Sequence, residues 1–421
     1  MPTHQHNWAG NIAYSAAEIH QPETLEHLQA IVSRSSKLRV LGSRHSFNAI
    51  ADSMGALVSL DKMPQTAVVD AARRTVTVSA GMTYGQLGVL LHRESLALHN
   101  MASLPGISVA GAIATATHGS GDANGNLATA VAALELITAE GDVVTLARET
   151  HSEQFLGAVV GLGALGVVTQ VTLDVQPAFA VQQEVYDNLP LAQVDAHFDE
   201  IVSSAYSVSL FTNWGEVVSE VWLKRRLADD AALPLAPTFF EATLAPANRH
   251  PLVALSADRC TPQMGVPGPW HERLPHFRVG QTPATGDELQ TEYFVPRQHA
   301  VAAMRALREI HEQMKPVMWI SELRTIAADD LWMSMGYGHD SVGFHFSWKN
   351  DWPKVQKVLP LIEAQLAPFE MRPHWGKLFT MPSAQVQARY PRLQDFRSLL
   401  RAYDPDGKFR NAFLETCVFG P

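Results

Sequence analysis

Two short segments in the second half of the chain carry side chains able to move protons and hold oxygen. Successive side chains of a strand alternate faces. Along "ISELRTI", residues 320–326, Glu322 and Arg324 therefore share a face with Ile320, while Ser321 and Leu323 turn the other way. Along "GFHFSW", residues 343–348, His345 and Ser347 share a face, and Phe344, Phe346 and Trp348 take the opposite, apolar one. If the two strands pair, one surface offers a carboxylate, a guanidinium, an imidazole and a hydroxyl. Such a set supplies a base and donors for a substrate oxygen that gains negative charge. A solvated sheet face would show the same alternation. Aromatic residues flank both strands, however, and His345 lies between two phenylalanines, which favours a site. "PHWGKLF", residues 373–379, adds His374 and Lys377 in a glycine-containing connection.

A second group of residues lies near the N-terminus. "VLGSRHSF", residues 40–47, sets His45 in a small-residue turn directly after an apolar run. On these residues alone His45 is a spare surface histidine, a metal ligand, a base, or an attachment point for a bound group. "SLPGISVAGAIATATHGSG", residues 103–121, is almost wholly Ser, Gly, Ala and Thr. Backbone amides and small hydroxyls can then approach a ligand closely, and such surfaces bind pyrophosphate without lysine. Tight packing of small residues would give the same composition. Two glycine- and serine-bearing loops in one region point instead to a long, polar, phosphate-bearing cofactor. "GLGALG", residues 161–166, has dinucleotide-fingerprint spacing, but a helical segment precedes it and the β-branched "VVTQVTLDV" follows. The fingerprint requires the reverse order, so this run is not read as a Rossmann site. The 18 histidines show no H-E-x-x-H spacing, "HQH" at 4–6 is terminal, and no metal is expected. No G-x-S-x-G is present to support serine hydrolysis.

The elements that must position these groups are mixed. "AEIHQPETLEHLQAIVSRS", residues 17–35, has helical spacing, "KLRVLG" enters a glycine turn as a strand, and residues 73–95 read strand, turn, amphipathic helix. A hairpin is expected around Glu140, Gly141 and Asp142, followed by a strand in "LGVVTQVTLDVQ". Past Pro177 the texture changes to longer strands and a Pro-rich region from about Leu233 to Pro296, which sets a boundary near residue 178. The fold class is α+β. A chain of 421 residues is too long for one core. At 46% hydrophobic and 18% charged it is an ordinary globular composition. A formal charge of -10 opposes nucleic-acid binding, and the basic run "WLKRR" at 222–226 reads as a solvated strand end. The uncharged stretch from Ser95 to Gly121 is broken by Pro105 and several glycines, so no membrane span is expected. Two cysteines, Cys260 and Cys417, and an N-terminus without a secretory pattern indicate a reducing, cytoplasmic setting.

Ten segments in order, among them "NWAGN", "VLGSRHSF", "NMASLPGISVAGAIATATHGSG", "LGALGVVT", "YSVSLFT", "GVPGPWHERLPHFR", "HFSW" and "RPHWGKLFT", carry a resemblance over nearly the whole chain. The chain resembles the FAD-linked oxidases of the vanillyl-alcohol oxidase superfamily and, within it, the alditol oxidases, also called xylitol oxidases. The resemblance implies a PCMH-type FAD-binding domain of two α+β subdomains at 1–178. It also implies a substrate domain at 179–370, with a large antiparallel sheet and flanking helices, and a segment at 371–421 that returns to the flavin. His45 falls on the position that carries FAD covalently, with Leu41, Gly42, Ser43, Arg44, Ser46 and Phe47 around it. Ser103, Pro105, Gly106, Ser108 and Gly111 fall on the cofactor cradle, as do Thr115, Thr117, His118 and Gly119. Gly166, Val167, Val168, His374 and Lys377 complete the cofactor set. Arg44 stands where relatives often have glycine, and Ser347 where threonine is common.

The implied reaction oxidises the terminal CH–OH of alditols such as xylitol and sorbitol to the aldose, with hydride transfer to FAD and reoxidation by dioxygen to hydrogen peroxide. An aldonolactone oxidase or dehydrogenase on the same scaffold is the alternative. Substrate contacts fall to Ser103, Glu322, Arg324, His345 and Ser347, and catalysis to His345, Lys377, Arg324 and Glu322. His345 is the expected base because an ordinary imidazole has a pKa of about 6.5. Lys377 and Arg324 supply positive charge, and Glu322, oriented by Arg324, accepts from polyol hydroxyls. The small Ala102 leaves room for dioxygen. A monomer with a polyol and dioxygen as partners is expected.

Overall fold

In the computed structural model, which describes residues 6–228, 231–252, 255–280 and 288–420, the apolar runs between glycine and proline breaks collect into three main sheets. Glu18–His20 (β1), Leu38–Val40 (β2) and Ala56–Val58 (β3) form a parallel sheet in the order β1-β3-β2. Leu25–Arg34 (α1) packs Leu28, Ile31 and Val32 beneath it, and the Thr24 hydroxyl accepts from the His27 N–H to start the helix. The helical reading of 17–35 thus holds only from Leu25. Residues 18–20 are captured as a strand by β3, an edge that only the folded chain presents.

The second sheet contains Ala67–Asp70 (β4), Thr75–Ser79 (β5), Val131–Ile137 (β6), Val143–Ala147 (β7) and Val167–Asp174 (β8), antiparallel in the order β4-β5-β8-β6-β7. Tyr84–Arg93 (α2) begins with a Thr83–Gln86 capping box. Val109–Ala114 (α3) forms inside the small-residue segment. Arg148–Val159 (α4) precedes "GLGALG" and β8 follows it, the inverse of a dinucleotide fingerprint, as expected.

The third sheet has ten strands. Its long members are Ala180–Pro190 (β9), Ser207–Thr212 (β10), Val217–Arg226 (β11), Glu288–Pro296 (β12), Met318–Ile326 (β13) and Ser341–Lys349 (β14), in the order β9-β11-β10-β13-β14-β12 and antiparallel. Leu191–Val202 (α5), Ala300–Glu309 (α6) and Trp352–Leu366 (α7) bury their apolar faces in the same core as Phe344, Phe346 and Trp348. The β13–β14 register sets Glu322 opposite His345, and the β14–β12 register sets His345 opposite Glu292 and Ser347 opposite Gln290. The polar face is buried, not solvated, because it closes against the N-terminal sheets. The C-terminal residues reach back to those sheets, where the Leu38 N–H donates to the Lys408 carbonyl at 3.0 Å. His6 forms a bridge with Ala13, while His4 lies outside the described residues.

The run at 222–226 is not a solvated strand end. Trp222 and Lys224 share a face and are buried, Arg225 on the opposite face is half-buried with its Nε donating to Glu184 Oε1 at 2.7 Å, and Arg226, on the face of Lys224 but at the strand end, is exposed.

Glu220, two residues before Trp222, is buried and accepts from Trp222 Nε1 at 2.7 Å. Burial pushes its pKa up from 4.5 to about 7. Between those values the folded chain holds a proton that the unfolded chain has released, so this stabilisation is complete below 4.5 and is lost as pH rises through 7. Thermal unfolding of Glu220→Gln, which keeps an acceptor for Trp222, is expected to match wild type near pH 5 and to exceed it at pH 8 by up to about 3 kcal/mol.

Candidate active site

A long cavity lies between the N-terminal sheets and the polar face of the third sheet, lined by the 41–47 loop, residues of the 102–118 segment, the turn before β8 and residues 374–377. Backbone and amide contacts hold the first loop: Phe47 N–H donates to the Gly376 carbonyl at 2.8 Å, and Asn7 Nδ2 to the Ser46 carbonyl at 2.9 Å. Trp8 stacks on the His45 ring with centroids 5.5 Å apart. Arg44 adopts the left-handed conformation with φ +64°, which costs a residue with a Cβ roughly 1–2 kcal/mol and accounts for a glycine preference there. Arg39, wholly buried, donates to the carbonyls of Leu162, Gly163 and Phe409 at 2.7–2.9 Å, tying the glycine turn and the C-terminal segment to β2.

The two glycine loops are pressed together. A Cβ at Gly42 or Gly111 would stand 2.6 or 2.7 Å from Ser108 Oγ. Ser108 Oγ and His45 Nδ1 are both buried without a hydrogen-bond partner. Burial lowers the His45 pKa, partly offset by the Ser43 backbone. Leu41 to Phe47, Ser103, Ser108, Gly111, Thr115, Thr117 and His118 all line the cavity, as do Gly166, Val168, His374 and Lys377. Four expected cofactor residues do not. Gly106 is exposed, and Pro105 is buried with its carbonyl accepting from Gly85. Gly119 packs on Asn100 and Met101, where a Cβ would come within 2.4 Å. Val167 turns into the core of Leu28, Ile31 and Phe409, since alternation sends only its neighbours Gly166 and Val168 to the cavity.

On the sheet face, Glu292 is the centre of charge. Its Oε1 accepts from Arg324 Nη2 at 2.8 Å and lies 3.2 Å from His118 Nε2, and its Oε2 accepts from Lys377 Nζ at 2.7 Å. Burial alone would raise its pKa, but Lys377, His118 and Arg324 hold it well below the usual carboxylate range. Arg324 Nη1 also reaches Ser103 Oγ at 3.3 Å. Lys377 Nζ is 2.8 Å from His345 Nδ1, and His345 Nε2 is 3.3 Å from Ser347 Oγ. Burial, with Glu292 opposing, lowers the Lys377 pKa, and burial with Lys377 drives that of His345 well below its ordinary value.

The ordinary imidazole pKa that recommended His345 as the base therefore does not hold, and its Nδ1 lone pair faces the lysine. Glu322 also differs from expectation. Arg324 Nε is 3.5 Å from Glu322 Oε1 and makes no hydrogen bond, while His276 Nε2 is 2.7 Å from that oxygen. His276 supplies the hydrogen bond to Glu322 beside the 3.5 Å ion pair from Arg324. Burial opposes ionisation, but Arg324 and His276 keep the carboxyl well below its usual range.

Glu292 and His276 were not read as site residues. The signal for Glu292 was the alternation of Glu288, Gln290 and Glu292 along "ELQTEYFVP", all three of which line the cavity. His276 stood unassigned inside "GPWHERLPHFR". His118, Glu292 and His374 bring three potential metal ligands within 4.8 Å of one another. Both Glu292 oxygens are already committed to Arg324 and Lys377, whose charge opposes a cation. Glu292→Gln strips Lys377 and Arg324 of their shared anion, and its unfolding free energy is expected to fall by about 3–5 kcal/mol in denaturant titration.

An FAD binding domain family matches residues 16–147, and a D-arabinono-1,4-lactone oxidase family matches residues 281–417. An alditol oxidase of Streptomyces sp. is 49% identical, with 100% of each chain covered. The L-gulono-1,4-lactone dehydrogenase of Mycobacterium tuberculosis is 28% identical with 99% of each covered, and the L-gulonolactone oxidase of Bos taurus is 26% identical with 98% of each covered. Among solved structures, cholesterol oxidase from B. sterolicum superposes with a TM-score of 0.78 over 98% of this chain and 96% of that one, at 13% identity, which shows a shared fold. Among the described residues no helix is long and apolar enough to cross a membrane.

Proposed function

Because the chain belongs to the alditol oxidase family, we propose that it oxidises the terminal CH–OH of a linear polyol such as xylitol or sorbitol to the aldose, using FAD attached covalently through His45. The observation that carries this reading is the buried Glu292–Lys377–Arg324 cluster, joined to Ser103 and opening on the same cavity as His45. The lactone-oxidising relatives are more distant, at 28% and 26% identity, and the polar Glu322, Arg324, His345 and Ser347 set suits an open polyol.

The cavity fits the cofactor. The buried, unpartnered His45 Nδ1 suits an imidazole attachment point, and the unpartnered Ser108 Oγ beside Gly42 and Gly111 suits a polar ligand pressed against backbone. Bound FAD supplies the acceptor for the hydride of the carbinol carbon and passes the electrons to dioxygen, giving hydrogen peroxide. The chain's own task is to bind the polyol, place its carbinol and take the hydroxyl proton. Burial lowers the Lys377 pKa and so eases loss of a proton from its ammonium; the amine that results keeps two N–H donors, one for Glu292 Oε2 and one for His345 Nδ1, and turns its lone pair to the hydroxyl. On taking the proton it becomes an ammonium that Glu292 stabilises. Arg324 then holds the oxygen left behind, Glu322 and Ser347 address neighbouring hydroxyls, and Ser103 is kept in place by Arg324. A hydroxyl left unpaired in this dry site costs about 1–3 kcal/mol, which gives the site its preference for polyols over simple alcohols.

A domain division at 178 is supported by the change of sheet between β8 and β9, and a separate segment from 371 by Lys377, which lines the cavity. Two buried free cysteines support a reducing, cytoplasmic setting.

Two measurements test this reading. His45→Ala is expected to release its flavin on acid precipitation whereas wild type gives a yellow pellet; flavin retained by the variant moves the linkage elsewhere. Lys377→Met is expected to keep FAD but to slow anaerobic flavin reduction by xylitol by about 100-fold or more, the range for a lost general base, and reduction at the wild-type rate would remove Lys377 from that role.

A further inference from the structure

A buried row of polar groups continues from the sheet face into the segment before β12. Lys224 on β11 is 1% exposed and donates to three acceptors: the Leu274 carbonyl, the Pro275 carbonyl at 3.1 Å, and His276 Nδ1 at 3.0 Å. In its ammonium form, which holds below about pH 7, Lys224 only donates, so Nδ1 of His276 accepts and the ring proton sits on Nε2. Nε2–H then points at Glu322 Oε1, 2.7 Å away. Phe211, Trp222 and Phe277 surround the ring with centroids 5.1–6.3 Å distant, which leaves it little freedom to turn.

We propose that Lys224 and His276 are positioning residues for the substrate: a one-way relay, Lys224 to His276 to Glu322, fills one oxygen of Glu322 and holds the other ready for a polyol hydroxyl. Neither residue touches the reacting carbon. Without Lys224 the ring can adopt either tautomer, and the tautomer protonated on Nδ1 presents a lone pair to the Glu322 carboxylate. The charged and titratable groups around the row are Glu322 and Arg324 for both residues, Cys260 beside Lys224, and His345 beyond Glu322. Burial, with Lys224 adding to it, pushes the His276 pKa down to about 4, so the ring is neutral at ordinary pH; burial pushes Lys224 down to about 7. The relay also explains why a lysine is tolerated in a core position at all: each of its N–H groups has an acceptor.

The inference rests on the alditol reading of the site. In the flavin-loaded full chain, Lys224→Met is expected to raise KM for xylitol about tenfold while changing the saturated rate less than about threefold, as for loss of a contact made equally before and during reaction. His276→Ala is expected to do the same, and the double variant to be no worse than His276→Ala, because Lys224 acts only through the ring. His276→Gln, which restores an N–H toward Glu322 without needing Lys224, is expected to recover most of the loss. A wild-type KM in Lys224→Met, or additive losses in the double variant, overturns the relay. If the unaltered chain makes no peroxide from any polyol, the substrate reading fails separately, and nitrogen-15 histidine spectra still judge the relay. His276 should be in the Nε2–H tautomer in wild type and mixed in Lys224→Met; an unchanged tautomer overturns it.

Discussion

A carboxylate with no exposed atom is costly to keep ionised, and Glu292 is ionised only because Lys377, Arg324 and His118 converge on its two oxygens. Glu292 and its three partners come from four separate parts of the chain. His118 belongs to the small-residue segment of the first domain, Glu292 and Arg324 to β12 and β13, and Lys377 to the C-terminal segment. One anion therefore docks the cofactor region, the substrate sheet and the C-terminal return against each other. The same contacts place an amine, a guanidinium and a hydroxyl at one end of the cavity. Structural cohesion and the geometry of the cavity's polar end share a single interaction.

The third sheet makes this arrangement possible by dividing its side chains sharply. Phe344, Phe346 and Trp348 face α5, α6 and α7, with Trp214 stacked on Phe346 at 6.0 Å. Glu292, Glu322, Arg324, His345 and Ser347 face the cavity. A one-residue slip in either register would send these polar groups into the helical core and the aromatics into the cavity, so the apolar packing on one side enforces polar alignment on the other. Glycines at 42 and 111 do the corresponding work in the first domain, where they let two loops close over Ser108.

Burial changes the chemistry that residue types alone suggest. An isolated histidine between strands looks like a base near neutrality, but inside this face burial and Lys377 move His345 far from that range, with its Nδ1 2.8 Å from the lysine. An arginine two residues from a glutamate looks like its hydrogen-bond partner, but Arg324 hydrogen-bonds Glu292 and meets Glu322 only as an ion pair at 3.5 Å, while His276 hydrogen-bonds Glu322. A basic run on a strand looks solvated, but Lys224 is buried where the Leu274 and Pro275 carbonyls and His276 Nδ1 accept from its ammonium.

Local sequence determined the pieces whose physics is local. Strand alternation sorted Glu322 and Arg324 with His345 and Ser347, glycine and serine runs marked the two cofactor loops, and the inverted order around "GLGALG" excluded a Rossmann turn. The ordered motifs carried the family and its flavin. What tertiary structure alone decided were the pairings between segments far apart in sequence: Glu292 with Lys377 across 85 positions, His276 with Glu322 across 46, and Lys224 with His276 across 52. Spacing along a chain constrains neighbours within a turn or a strand. Hydrogen-bond partners, pKa direction and the choice of base depend on which distant groups share a desolvated volume, and that is fixed only when the sheets close over the cavity.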